Sequence, residues 1–160
     1  MNIQADQFLT FLLDDAEYGV DILRVQELKA WNRVTPVPHT PAWVLGVTNL
    51  RGVIVPIVDL RKRFGMPDAV HGVTTVVVVV KVEAADRTRI MGMVVDAVSD
   101  VYDIAPADRK APPDESGAES AFVQGLATVD EKMVILLDID GLLGAAALED
   151  GADAPRQSVS

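Results

Sequence analysis

The chain contains no cysteine, and two histidines are its only imidazoles in 160 residues. Without thiols there are no disulfides and no thiolate chemistry, which suits a reducing compartment. Aromatic residues make up 5% of the chain, so any core must be built from aliphatic side chains. Basic residues are outnumbered 14 to 24, leaving a formal net charge of −10. That balance argues against nucleic acid or an anionic membrane as partner, since both require a basic face. No unbroken apolar run is longer than Val76 to Val80, which falls far short of the ~20 residues that span a bilayer. The opening MNIQADQ has neither a basic start nor an apolar stretch, so no signal peptide is expected. A soluble, cytoplasmic protein is the expectation.

Valine is what the chain has in abundance, and it stiffens strands, so a β-rich fold is expected. Phe8 to Leu13 reads as a strand, the acidic run Asp14 to Glu17 as a turn, and Tyr18 to Asp21 as a short second strand. Ile22, Val25 and Leu28 then recur every three residues, which predicts a short helix capped by Asp21, with Glu27 off its apolar face. Pro36 and Pro38 place Trp31 to His39 at an edge or in a loop, and Pro41 to Val44 reads as one helical turn.

Leu45 to Leu50 and Val53 to Val58 flank Arg51-Gly52 as two strands flank a tight turn. Asp59 follows as a helix N-cap, Leu60 and Phe64 share a face, and Gly65 stands where a left-handed backbone ends the helix. Thr74 to Val82 is apolar on both sides and should be covered on both faces, with Arg89 to Val95 as its hairpin partner. Val98 to Ile104 reads as a partly exposed strand, and Pro106 to Ser120 as a mobile loop. Gln124 to Val129 and Met133 to Leu137 form a last hairpin, and 149–160 should be disordered.

Residues 46–65 and 125–144 align without a gap, Gly46 on Gly125, Val55 on Val134, Asp59 on Asp138 and Phe64 on Leu143. Two such units imply two similar small β-barrels packed side by side. Their hairpin tips differ in charge, Arg51-Gly52 in one and Asp130-Glu131 in the other, and unlike tips favour unlike partners.

Catalytic chemistry is hard to build from this chain. His39 and His71 lie in expected loops with no metal-ligand spacing around them. A small hydrolase would have to use Asp59, Asp96, Asp138 or Asp140, two of which stand where helix caps belong. Asp138-Ile-Asp140-Gly141 lacks the further ligands of a calcium loop, and no phosphate loop or nucleophile elbow is present. No enzyme activity, cofactor or metal is expected. The basic run Arg61-Lys62-Arg63 reads as a solvated helix face, or else as a dock for an acidic partner.

The run from Gly46 to Leu60, GVTNLRGVIVPIVDL, resembles the signature of the CheW family of bacterial chemotaxis coupling proteins. Tyr18 to Glu27 and Met93 to Val101 are similar to two further segments of that family, in order, so the likeness covers most of the chain. It implies a mainly β fold with short helices, as two packed five-stranded SH3-like barrels forming one CheW-like domain over 1–148.

The resemblance also implies a function. CheW proteins are adaptors that join the cytoplasmic tips of methyl-accepting chemoreceptors to the regulatory domain of the chemotaxis histidine kinase, CheA, in arrays at the membrane. The protein itself would be a monomer in isolation and would not insert in the membrane. A CheW-like adaptor of another chemosensory pathway, such as one for surface motility, is the alternative; an adaptor–receiver fusion would show a receiver pattern after Gly144. Family positions on the receptor side match Val25, Glu27, Asn49, Arg51 and Gly52, with receptor helices expected in an apolar groove between the barrels to which Ile22 and Val25 contribute, and on the kinase side Gly46 and Arg51. Glu27 and Arg51 are expected within ion-pair distance of each other, the local alternative for Glu27 being Arg24.

Overall fold

A computed structural model describes residues 6–67, 71–84, 87–111 and 122–143. The expected tail over 149–160, and Gly144 at the end of the second repeat, lie outside the described residues. Among the described residues eleven strands run β1 (Asp6–Leu13), β2 (Ala16–Asp21), β3 (Val25–Ala30), β4 (Val44–Leu50), β5 (Val53–Asp59), β6 (Val76–Ala84), β7 (Arg87–Val95), β8 (Ala97–Ile104), β9 (Arg109–Lys110), β10 (Val123–Val129) and β11 (Lys132–Leu137). One four-residue helix, α1 (Leu60–Arg63), follows β5, and a helical turn over 139–143 follows β11.

The strands form two sheets, ordered β3-β6-β7-β5-β4 and β8-β1-β2-β11-β10-β9. In the first, the chain leaving β3 returns to bridge Thr35 to Val47 on β4; in the second, the chain leaving β8 returns as β9 on β10. Each sheet therefore curls toward closure, giving a middle barrel (β3 to β7) and a terminal barrel (β1, β2 and β8 to β11).

Strand register shows how the repeat is used. Val44 faces Val58 and Gly46 faces Ile57 across a bulge, and Val123 faces Leu137 and Gly125 faces Leu136 across the same bulge. Ile57 then pairs in parallel with Gly92 on β7, and Leu136 in parallel with Gly19 on β2. Each barrel thus takes its hairpin from one half of the chain and completes its sheet with two strands from the other half. The exchange ties the halves together.

Three clusters make up the core. The largest lies between the barrels and joins Leu9, Phe11 and Leu13 from β1 to Val78, Val80 and Val82 from β6, with Leu60 and Leu142 from the helical turns. Val77 and Val79 point the other way, into the middle barrel, where they meet Leu50, Val55 and Ile57. This is why β6 reads as valine on both faces: one face serves the joint and the other its own barrel. Phe8, Ala127, Val134 and Leu136 fill the terminal barrel.

Some expectations are corrected. Asp21 caps as read, its Oδ1 accepting the Leu23 N–H at 2.9 Å, but only a 3-10 turn (Ile22–Arg24) follows. The chain then enters β3, so Val25, Glu27 and Leu28 lie on a strand. A bulge between Val25 and Glu27 makes the period of three imitate a helix: Ile22 and Val25 pack on the central core, while Leu28 remains 45% exposed. The turn after β1 is only Asp14-Asp15, both left-handed, and Glu17 is already buried in β2. Pro41 to Val44 makes a single turn closed by the Val44 N–H on the Pro41 carbonyl (3.0 Å). The expected loop after Pro106 begins with a 3-10 turn and β9; 112–121 lie outside the described residues.

Candidate functional site

The β4–β5 hairpin holds its tip with two left-handed residues, Arg51 (φ 51°) and Gly52 (φ 87°). Such a primed turn matches the twist of its strands, but it costs a non-glycine residue roughly 1–2 kcal/mol at the Arg51 position. Asn49 secures the turn, its Oδ1 accepting the Gly52 N–H at 2.9 Å. Arg51 reaches back over the barrel to Glu27 on β3, Nη1 donating to Oε2 at 2.6 Å and Nη2 to Oε1 at 3.0 Å. The expected ion pair is present, and Arg24, the local alternative, is engaged elsewhere. The Arg51 hydrogen bonds hold the Glu27 carboxyl below the usual carboxylate range.

Glu27, Asn49, Arg51 and Gly52 are thus brought together at one end of the middle barrel. Ile22 and Val25 are not part of that group; both pack against the central core. Gly46 is buried at the β4 bulge, where a Cβ would stand 2.2 Å from the Thr35 carbonyl oxygen. Glycine is needed there so that Thr35 can bridge to β4. Around the tip, Val53 and Ile54 are exposed, as is Leu28 on β3, features that residue-by-residue reading of the sequence missed. Nothing in the local pattern marks them, since Val53 and Ile54 are consecutive on β5 and point to opposite faces.

The second hairpin repeats this geometry with opposite charge. Asp130 (φ 51°) and Glu131 (φ 67°) make the same turn, and Met133 is exposed like Ile54. Matching bulges put Asp100 of β8 where β3 has Glu27, so no cation faces the second tip from that side. Lys132 instead lies 3.3 Å from Glu17, whose carboxylate raises the lysine pKa.

Two cations of the basic run on α1, Arg61 and Arg63, are engaged within the chain rather than solvated. Arg61 forms a bidentate pair with Asp96, at 2.9 and 2.7 Å, and its Nη1 donates to the Pro67 carbonyl. Arg63 lies between the Trp43 and Phe122 rings, 4.6 and 4.5 Å from their centroids, and donates to the Leu142 carbonyl. Trp43 and Phe122 are themselves equivalent, for their carbonyls accept the N–H of Asp59 and Asp138, each at 2.8 Å. Asp59 caps α1 through the Arg61 and Lys62 N–H groups, and Asp138 caps its own turn through Gly141. These aspartates are structural. Among the described residues no group of three His, Asp or Glu is placed to hold a metal ion, and no helix is long and apolar enough to cross a membrane.

Two joined SH3-like barrels, with like hairpins of unlike charge at their tips, define a β-barrel docking module whose features lie on surfaces. The family model of the CheW-like domain matches residues 7–147, and the chain belongs to that family. It is 43% identical over 140 residues to the chemotaxis protein CheW of Klebsiella aerogenes, covering 87% of this chain and 82% of that protein. With CheW of Rhizobium meliloti it shares 38% over 137 residues, 85% of this chain and 86% of the relative. The crystal structure of the scaffolding protein TtCheW from Thermoanaerobacter tengcongensis superposes with a TM-score of 0.80 at 31% identity, covering 91% and 92% of the two chains.

Proposed function

We propose that this protein is a chemotaxis adaptor, coupling the cytoplasmic tips of methyl-accepting receptors to the regulatory domain of the histidine kinase CheA. Family membership supports this reading, and the observation that carries it is the pair of hairpin tips. Arg51-Gly52 and Asp130-Glu131 share one backbone geometry on two interlocked barrels, yet present opposite charge. A body with two such surfaces can hold two different neighbours at a constant orientation, because complementary charge selects each partner and rejects the other. The work requires no nucleotide, metal or covalent step. Affinities on the order of micromolar suffice for each contact, since an array supplies multivalency.

In this reading residues 1–148 act as one unit, recruited from the cytoplasm to receptor arrays. Glu27, Asn49, Arg51 and Gly52 form the receptor-side surface, with Ile22 and Val25 shaping it from the core, and Gly46 and Arg51 serve the kinase side. The test is capture of a receptor-tip fragment and of the CheA regulatory domain by the wild-type chain, by Arg51→Glu and by Asp130→Arg. Arg51→Glu, which lies on both surfaces, should weaken both partners about tenfold or more, and Asp130→Arg should weaken one while keeping the other. A wild-type chain that captures neither, or two variants that keep both partners at full affinity, would overturn the reading.

A further inference from the structure

The middle barrel is not closed by hydrogen bonds all the way round. β3 and β4 are the two ends of its strand order, and they meet along a seam. One end of the seam is shut by the backbone pair between Thr35 and Val47, both bonds at 2.9 Å. The other is shut by the Arg51–Glu27 ion pair. Between them lies a slit floored by Val55, Ile57, Val77 and Val79, with Lys29 and Arg33 on its rim. Both rim cations are exposed, and neither makes an ion pair among the described residues.

The terminal barrel serves as an internal control. At the equivalent positions it carries Asp100 and Asp130, which cannot attract one another, and its own seam is covered by β9. There β9, and not an ion pair, covers the seam. The Arg51–Glu27 clasp and the slit beneath it belong to the surface of the middle barrel and are no general requirement of the fold. Charge follows the same division. Nine of the 14 lysines and arginines, but only five of the 24 acids, fall between positions 25 and 95, the span of β3 to β7.

We infer that this seam is a docking slit for an acidic segment of a protein partner, which anchors one apolar side chain between β3 and β4 and sets its carboxylates against Lys29 and Arg33. The cavity is about 30 Å³, an order of magnitude below the ~300 Å³ where small-molecule sites begin, so it suits the tip of a single side chain. One well-seated apolar anchor inside a charged rim is the usual form of an interaction hot spot. The basic bias of the surrounding strands steers an acidic segment and repels a basic one. The inference rests on the adaptor reading and names a contact within it.

The test uses the full chain with labelled valine and leucine methyl groups, titrated with a short synthetic peptide carrying one leucine among glutamates. The methyl signals of Val34, Leu50, Val77 and Val79 should shift, and the shifts should weaken with added salt. Combining Lys29→Glu with Arg33→Glu should lower the apparent affinity about tenfold, and Asp103→Lys, exposed on β8 of the terminal barrel, should leave it unchanged. Slit signals that stay still, or that move equally with a peptide bearing lysines for glutamates, would overturn the inference. That failure differs from failure of the adaptor reading: a silent slit in a chain that still captures receptor and kinase removes the slit alone, and a responsive slit in a chain that captures neither removes the adaptor.

Discussion

Arg61 and Asp140 occupy the same place in the two repeats, each two residues beyond a capping aspartate, and each closes an ion pair of opposite polarity. Arg61 holds Asp96 at the crossover from β7 to β8, and Asp140 holds Arg24 at the crossover from β2 to β3 (2.8 and 2.5 Å). In both pairs the carboxylate also accepts a backbone N–H beside the neighbouring hairpin, that of Asp14 in one and that of Glu83 in the other. The two places where the chain passes between barrels are therefore latched by the same contact with its charges inverted.

Removing one member of a latch should cost more than an exposed ion pair is worth. Arg61 retains 14% of its side-chain exposure, and Arg61→Ala leaves Asp96 with its strongest donors gone. A loss of about 1–3 kcal/mol is expected from the urea midpoint, with Arg61→Lys recovering only part, because an ammonium cannot reproduce the two-bond fork.

The latches also set an acid limit. Hydrogen bonds from Arg61 hold the Asp96 carboxyl below the ordinary aspartate range; at Asp140 burial opposes the charge, but the Arg24 and Glu83 donors outweigh it. A carboxyl whose folded pKa is depressed contributes its full stability above its unfolded pKa and loses it as pH falls through the folded value. Stability should thus decline as pH drops below the usual carboxylate range. Asp96→Asn and Asp140→Asn should be less stable at neutral pH and show a flatter acid limb in pH-dependent urea melts.

Glycine substitutions should separate fold from surface. Gly46→Ala drives a Cβ against the backbone of Thr35, which cannot yield, so it should cost more than ~3 kcal/mol and detach the Thr35 bridge. Gly92→Ala meets only the ends of Ile57 and Val77, at 2.7 and 2.8 Å, and should cost about 1–3 kcal/mol. Gly52 has open space around it and only its φ of 87° to lose, so Gly52→Ala should cost about 1 kcal/mol. Thermal midpoints that ranked these three in another order would contradict the geometry.

Arg63→Ala removes the cation between the Trp43 and Phe122 rings at the joint between barrels. A loss of roughly 1–3 kcal/mol is expected from two face contacts and one hydrogen bond, with Trp43 emission moving to longer wavelength as water reaches the ring. Unchanged emission would mean that the joint stays packed without it.

Much of the architecture is legible along the chain, since hairpins and caps are local. Arg51-Gly52 between two β-branched runs, Asp59 before Leu60 and the alignment of 46–65 on 125–144 all follow from spacing. The candidate site was legible in part for the same reason, three of its residues lying within one hairpin. Its fourth, Glu27, was expected near Arg51 but on the wrong element, because a bulge in β3 reproduces a helical period. Arg61 and Arg63 were misread because an exposed-looking basic run gives no sign of the aspartate and the two rings that cover it.

What the sequence by itself determined is the content of each short segment: which residues form strands, where turns fall, and that one unit occurs twice. The tertiary structure alone decided that each barrel borrows two strands from the other half, which crossover charges meet, and that the seam of one barrel carries a clasp while its twin does not. The physical reason is range. Turn chemistry and side-chain alternation act over a few residues, whereas a parallel strand pair or an ion pair between distant positions exists only once packing has brought both partners to the same place.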